Sequence, residues 1–191
     1  SYPAPRRELQ EMQQDVRESL AAAEVYVRYC TSETEKAALL FTYLAERFPY
    51  QQGDSRTPVY SALCQGVANS KSMAQSWQLL CDEAGLSCRT VSGLRGGEAY
   101  WWNIVTLDGV SCHVDVLRDL LDGSTLRLRY DEDMAGGYYW DTEDVPACPA
   151  PAPEEEEPEA PAPTEDQPAS EDPAEDPAET PEAQPTEPET P

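Results

Sequence analysis

Few side chains in this 191-residue sequence are suited to attacking a carbonyl or moving a proton near neutral pH. There is one imidazole, His113, and there are six thiols: Cys30, Cys64, Cys81, Cys88, Cys112 and Cys148. No C-x-x-C pair occurs and a lone histidine is a poor start for a tetrahedral centre, so neither a metal site nor a cofactor is expected. The cysteine spacing selects no disulfide pairing. Cys81 and Cys112 suit the role of small buried hydrophobes. A thiol–imidazole dyad of Cys64 and His113 is one nucleophilic pair these residue types permit. Cys64 precedes Ser70 by six positions, in the segment that enters a helix.

The elements that must position these groups can be read from periodicity. Residues 6–29 are rich in Glu, Gln, Arg, Leu and Ala and read as a long helix. A second helix begins after Ser32, with Glu35 as its capping-box partner, and ends before Pro49. Residues 50–60 are polar, contain Gly53 and Pro58, and read as a loop. A third helix is expected from Ser70 to Ala84, with Met73, Ala74, Trp77, Leu80 and Cys81 on one face. Gly85 supplies its left-handed stop. Strands are expected at 88–92, 99–107 and 110–116, with a further strand-like stretch at 126–130. Helices followed by an antiparallel sheet make an α+β pattern.

The Asp108-Gly109 dipeptide between two of these strands is a strong signal for a two-residue hairpin turn. Leu107 then faces Val110, Ile104 faces His113 and Trp102 faces Asp115, with Tyr100 one diagonal step away. Tyr100, Trp102, His113 and Asp115 therefore share one face of the sheet. His113 lies four residues along the pair from position 100, or about 13 Å at ~3.3 Å per residue.

Three stretches, YSALCQGVANSKSMAQSWQLLC, GEAYWWNIVTLDG and VSCHVDV, occur in an order and spacing that resemble the transglutaminase-like family. In that family a nucleophilic Cys opens a helix after a G-x-A-x-C-type turn, a His precedes Ala-Trp-Asn in a strand, and an Asp follows within H-V-D. Carried onto this chain, the Cys position is Ser70, the His position is Tyr100 and the Asp position is Asp115. The resemblance implies a papain-like α+β fold, with N-terminal helices packed on an antiparallel sheet. It also implies peptidase, amidase or cross-linking chemistry, which these residues do not support. A serine hydroxyl is far less acidic than a thiol, and a helix N-terminus contributes only about 0.3–2 kcal/mol towards ionising it. Tyrosine, with a pKa near 10, is a poor proton acceptor at neutral pH.

The chain carries 37 acidic and 13 basic residues. Residues 149–191 hold 15 of the acids and 13 prolines, with no base and no aromatic, so they are expected to form a disordered tail. That leaves 22 acids against 13 bases in residues 1–148, a net charge of −9. Such acidity argues against nucleic acid as a partner, and Arg127 and Arg129 read as surface decoration of a strand. No apolar run is long enough to span a bilayer. The organisation expected is a helical segment at 1–29, a transglutaminase-like domain at 30–148 and the tail. The expected function is a catalytically inactive binding or scaffold module, with Tyr100, Trp102, His113 and Cys64 at its cleft and a peptide or cell-wall glycan as ligand. The alternatives are a cysteine or serine hydrolase with a relocated Cys64–His113 site, and a folded anchor for the tail. The acidic, Pro-rich tail suggests a bacterial protein that is secreted or held at the cell surface.

Overall fold

The computed structural model describes residues 5–151; the expected tail lies almost wholly outside them. Helix α1 (Arg6–Val27) starts at Pro5 and buries Ser19, Ala23 and Val27, with Val16 and Leu20 against the same core. Helix α2 (Glu33–Arg47) contributes Ala37, Leu40, Phe41, Tyr43 and Leu44. Ser32 caps it by accepting from the Glu35 amide at 3.3 Å. No capping box with Glu35 forms; instead Asp108, from a distant turn, takes further donors of the first turn. Its carboxylate accepts from the Glu33 amide at 3.0 Å, the Thr34 amide at 3.1 Å, and the Thr34 and Ser32 hydroxyls at 2.8 and 2.9 Å. Those four donors, the backbone amide of Glu33 foremost, hold the Asp108 carboxyl at about 2, well below the usual range.

The polar stretch expected to be a loop contains two elements. Strand β1 (Gln51–Gln52) pairs in parallel with β2 (Val67–Ala68), and helix α3 (Pro58–Cys64) lies between them. Pro58 at the first turn of α3 is a helix-start signal that the polar composition outweighed. Helix α4 (Ser70–Glu83) then runs to Ala84 and stops at Gly85, whose φ is +73°. Its expected apolar face is fully buried.

Strands β3 (Ser87–Arg95), β4 (Glu98–Leu107) and β5 (Val110–Val114) form a meander. The β4–β5 ladder pairs Leu107 with Val110, Ile104 with His113 and Asn103 with Val114, which is the register the two-residue turn requires. Asp108 and Gly109 both have positive φ, as a type I′ turn demands. The ladder ends at Val114 because Asp115 leaves the sheet to cap α5 (Val116–Leu121), accepting from the Arg118 amide at 3.2 Å. The expected strand at 126–130 makes only a bridge between Arg129 and His113. Arg129 is a buried ion-pair partner of Asp119 rather than surface decoration, with an N–O distance of 2.5 Å. After α6 (Asp131–Met134), strand β6 (Tyr138–Trp140) joins the other edge of β3, giving the antiparallel order β5-β4-β3-β6.

The sheet is therefore covered on both sides. Helices α1, α2 and α4 pack on one face around Trp77, Val105 and Val114. Residues from 134 to 148 close part of the other, where Val91, Trp102, Ile104, Met134, Tyr138 and Cys148 form a second core. Residues 1–29 and 30–148 lie within one unit, with α1 sharing the main core. Among the described residues no helix is long and apolar enough to cross a membrane.

Candidate functional site

Ser70 is the first residue of α4, and the segment before it is tightly specified. Gly66 has φ +70°, and a Cβ there would sit 2.6 Å from the Phe48 Cβ, so only glycine fits. The β1–β2 pair fixes residues 67 and 68, and the Asn69 side-chain Nδ2 donates to Asp54 Oδ1 at 2.7 Å. Asn69 and Ser72 form a capping box, each side chain accepting from the other's backbone amide.

Ser70 lines a cleft of about 920 Å³ together with Tyr100, Trp101, Lys71, Arg95, Arg118 and Tyr138. Ser70 and Asp115 also border a packing gap with Trp102 and Asn103 that is too narrow for a water. Asp115 is buried, 1% exposed, and surrounded by donors. The Tyr100 hydroxyl donates to its Oδ1 at 3.1 Å and the Tyr138 hydroxyl to its Oδ2 at 2.6 Å. Arg118 Nη1 in turn donates to the Tyr138 oxygen at 3.3 Å. Asp115 thus orients two phenols and a helix terminus.

Burial, and then the negative charge of Asp115, push the Tyr100 and Tyr138 phenols above their ordinary value of 10. Both stay protonated, and both protons point at Asp115. Neither ring can take a proton from Ser70 and return it to a leaving group, the service an imidazole provides in nucleophilic catalysis. The other titratable groups lining the cleft are Asp54 and Glu98 with three cations, and none is an imidazole.

The chain's imidazole sits elsewhere. His113 is 0% exposed, on the face expected, but the C-terminal segment seals it from the cleft. Its Nδ1 accepts from Trp102 Nε1 at 3.0 Å and its Nε2 lies 3.0 Å from Asp131 Oδ1. Since Nδ1 accepts, the neutral ring carries its proton on Nε2 and donates it to Asp131. Asp131 also accepts from the Cys148 amide at 2.8 Å. His113, Asp131 and Cys148 bring their ligating atoms within 4.8 Å of one another. Such a trio has the residue types of a metal site or a catalytic triad, and the Trp102 bond sets the tautomer of its ring. With Nδ1 occupied and Nε2 protonated, the ring has no lone pair free for a metal or for the Cys148 proton. Burial and the Asp131 charge also push the Cys148 thiol up to about 12. The trio works as a latch that ties the C-terminal segment to the sheet.

Cys64 is not in the Ser70 cleft. It ends α3 and lines a separate depression with Asp15, Ser19, Arg47 and Tyr60, where burial raises its pKa. The structure therefore does not assemble a Cys64–His113 dyad. Trp102, 1% exposed, is core rather than cleft surface, and Trp101 takes the exposed position beside Lys71. Tyr138 reaches Asp115 because β6 pairs with β3, a contact between distant segments that the local sequence does not signal.

Residues 20–116 match the model of the transglutaminase-like superfamily, about half the chain. This chain belongs to that superfamily. Solved structures similar to it include a TGase (11% identity, TM-score 0.46, covering 61% of this chain and 34% of that one). Others are a candidate protease from Parabacteroides distasonis (14%, 0.43, 59% and 26%) and a candidate cysteine protease from Cytophaga hutchinsonii (10%, 0.45, 65% and 46%). The chain thus spans less than half the length of each of these proteins. No curated protein matches it.

Proposed function

We propose that this transglutaminase-like domain is catalytically inactive and uses the Ser70–Tyr100 cleft to bind a ligand. The observation that carries this is the Tyr100–Asp115 hydrogen bond. The carboxylate that would orient a catalytic imidazole holds a phenol that keeps its proton, and the chain's one imidazole is committed to Trp102 and Asp131. The cleft still offers aromatic and polar lining large enough for a short peptide or glycan fragment. A location outside the cytoplasm, secreted or at a bacterial surface, is proposed on the composition of residues 149–191 alone.

The test is turnover on a panel of peptide, amide, glutamine and peptidoglycan-fragment substrates, comparing wild type with Ser70→Ala, Cys64→Ala and His113→Ala. No turnover is expected from any of them. Wild-type turnover abolished by Ser70→Ala would establish a serine hydrolase, and turnover abolished by both Cys64→Ala and His113→Ala would establish a relocated dyad.

A further inference from the structure

We infer that the cleft recognises a peptide-sized ligand through a single carboxylate, held by Arg95 with Arg118 and Lys71. This rests on the binding role proposed above and names its chemistry. The domain is acidic, yet three of the chain's 13 basic residues converge on this cleft, against Asp54 and Glu98 at its surface. Asp115 lies beneath, its oxygens already engaged by the two tyrosine hydroxyls.

Two of these cations, Arg95 and Lys71, are held in place without being neutralised, while Arg118 Nε lies 3.6 Å from Asp122 Oδ2. The Arg95 guanidinium lies over the Tyr100 ring at 5.0 Å and over the Tyr138 ring at 5.6 Å. The Lys71 ammonium lies over the Trp101 ring at 5.4 Å. Neither forms an ion pair among the described residues. A cation over a ring face is fixed in direction but keeps its charge and its N–H groups for another partner. Arg118 donates to the Tyr138 phenol oxygen at 3.3 Å, so both guanidiniums contact the same tyrosine. Planar N–H forks of this kind match a carboxylate in two parallel hydrogen bonds. The lining sets three cations against Asp54 and Glu98, with Arg118 shared with Asp122 and Asp115 beneath, so the positive charge left for a ligand is small and suits one carboxylate better than a polyanion. At about 920 Å³ the cleft exceeds a lone anion and accommodates several residues around it.

The experiment measures binding of three acetylated tetrapeptides by Trp101-dependent fluorescence or calorimetry. One is Ala-Gln-Ala-Ala with a free C-terminus, one is the same sequence as its amide, and one is Ala-Glu-Ala-Ala as its amide. At least one carboxylate peptide is expected to bind about tenfold tighter than the neutral amide, the size of one charge-assisted hydrogen bond. Which of the two wins distinguishes a terminal from a side-chain carboxylate. The preference should collapse in Arg95→Gln, survive in Arg95→Lys, and weaken at about 0.5 M salt. Equal affinity for all three peptides, no binding of either carboxylate peptide, or a preference that persists in Arg95→Gln combined with Arg118→Gln overturns the inference. Cleavage of the same peptides, followed by chromatography, would instead overturn the non-catalytic reading and leave a carboxylate preference standing.

Discussion

Two polar clusters lie on one face of the same sheet, and they have complementary deficiencies. Around Asp115 there are an open cleft, a helix N-terminus and a well-oriented carboxylate, but the group facing that carboxylate is a phenol. Around His113 there are an imidazole, a carboxylate and a thiol within a few ångströms, but Trp102 and Asp131 occupy both ring nitrogens and the imidazole and thiol are buried. On the non-catalytic reading proposed above, the lone pair, the proton and the access that catalysis needs are divided between the two clusters.

The comparison would be broken most severely at the His113 cluster. His113→Ala should destabilise the fold by about 3 kcal/mol, from the cavity left and the Trp102 N–H stranded in the core. Urea melts measure it, and a loss below about 1 kcal/mol would mean the latch contributes little. At the open cluster the expected losses are smaller. Tyr138→Phe should cost about 2 kcal/mol and Tyr100→Phe about 1, since the former bond to the carboxylate is shorter and deeper. Equal losses would contradict that ranking.

The difference can also be sharpened by reversing it. Ser70→Cys combined with Tyr100→His would place a thiol and an imidazole where Asp115 can orient the ring. The new thiol should alkylate at neutral pH about tenfold faster than an exposed model thiol, as its pKa falls below ~8.5. Wild-type Cys148 should be essentially inert under the same conditions. A double variant no faster than the model thiol would show that the cleft geometry, and not only the two side chains, has departed from a nucleophilic arrangement.

The smallest effect expected is a pH dependence. Burial lowers the His113 pKa below 6.5, only partly offset by Asp131. The unfolded chain therefore binds this proton more readily. His113's contribution is complete above pH 6.5 and is lost as the pH falls from there through the lower folded value. The stability difference between wild type and His113→Gln should shrink by up to about 1 kcal/mol on going from pH 7 to pH 5. A difference that grows on acidification would reverse the sign and place a charged imidazole in the core.

Much of the fold was legible because it rests on local chemistry. The Asn69 cap, the buried face of α4 and the Asp108-Gly109 turn each involve residues within a few positions, and they fix the β4–β5 register that brings Tyr100 towards Asp115. What escaped reading depends on distant segments. Trp102 and His113 lie on the face predicted, but residues 134–148 fold over it and make it core, while Trp101 on the other side of the pleat reaches the cleft. Tyr138 was hidden for the same reason, since a three-residue edge strand is too short to announce its partner. Position 93, opposite both Tyr100 and Trp140, shows how close that packing is. A Cβ there would collide with the Tyr139 carbonyl and lie 2.8 Å from the Trp102 ring.

The Asp108 carboxylate has a consequence for how the chain matures. Helix α2 receives most of its N-terminal hydrogen bonds from a residue some 75 positions later. During synthesis from the N-terminus, α2 leaves the ribosome long before the β4–β5 hairpin exists, with Ser32 as its only cap. Its first turn is therefore prone to fraying until the meander closes. Arrival of the hairpin tip seals that helix end and docks the sheet to the helical layer in one event, which couples the assembly of the two halves of the domain.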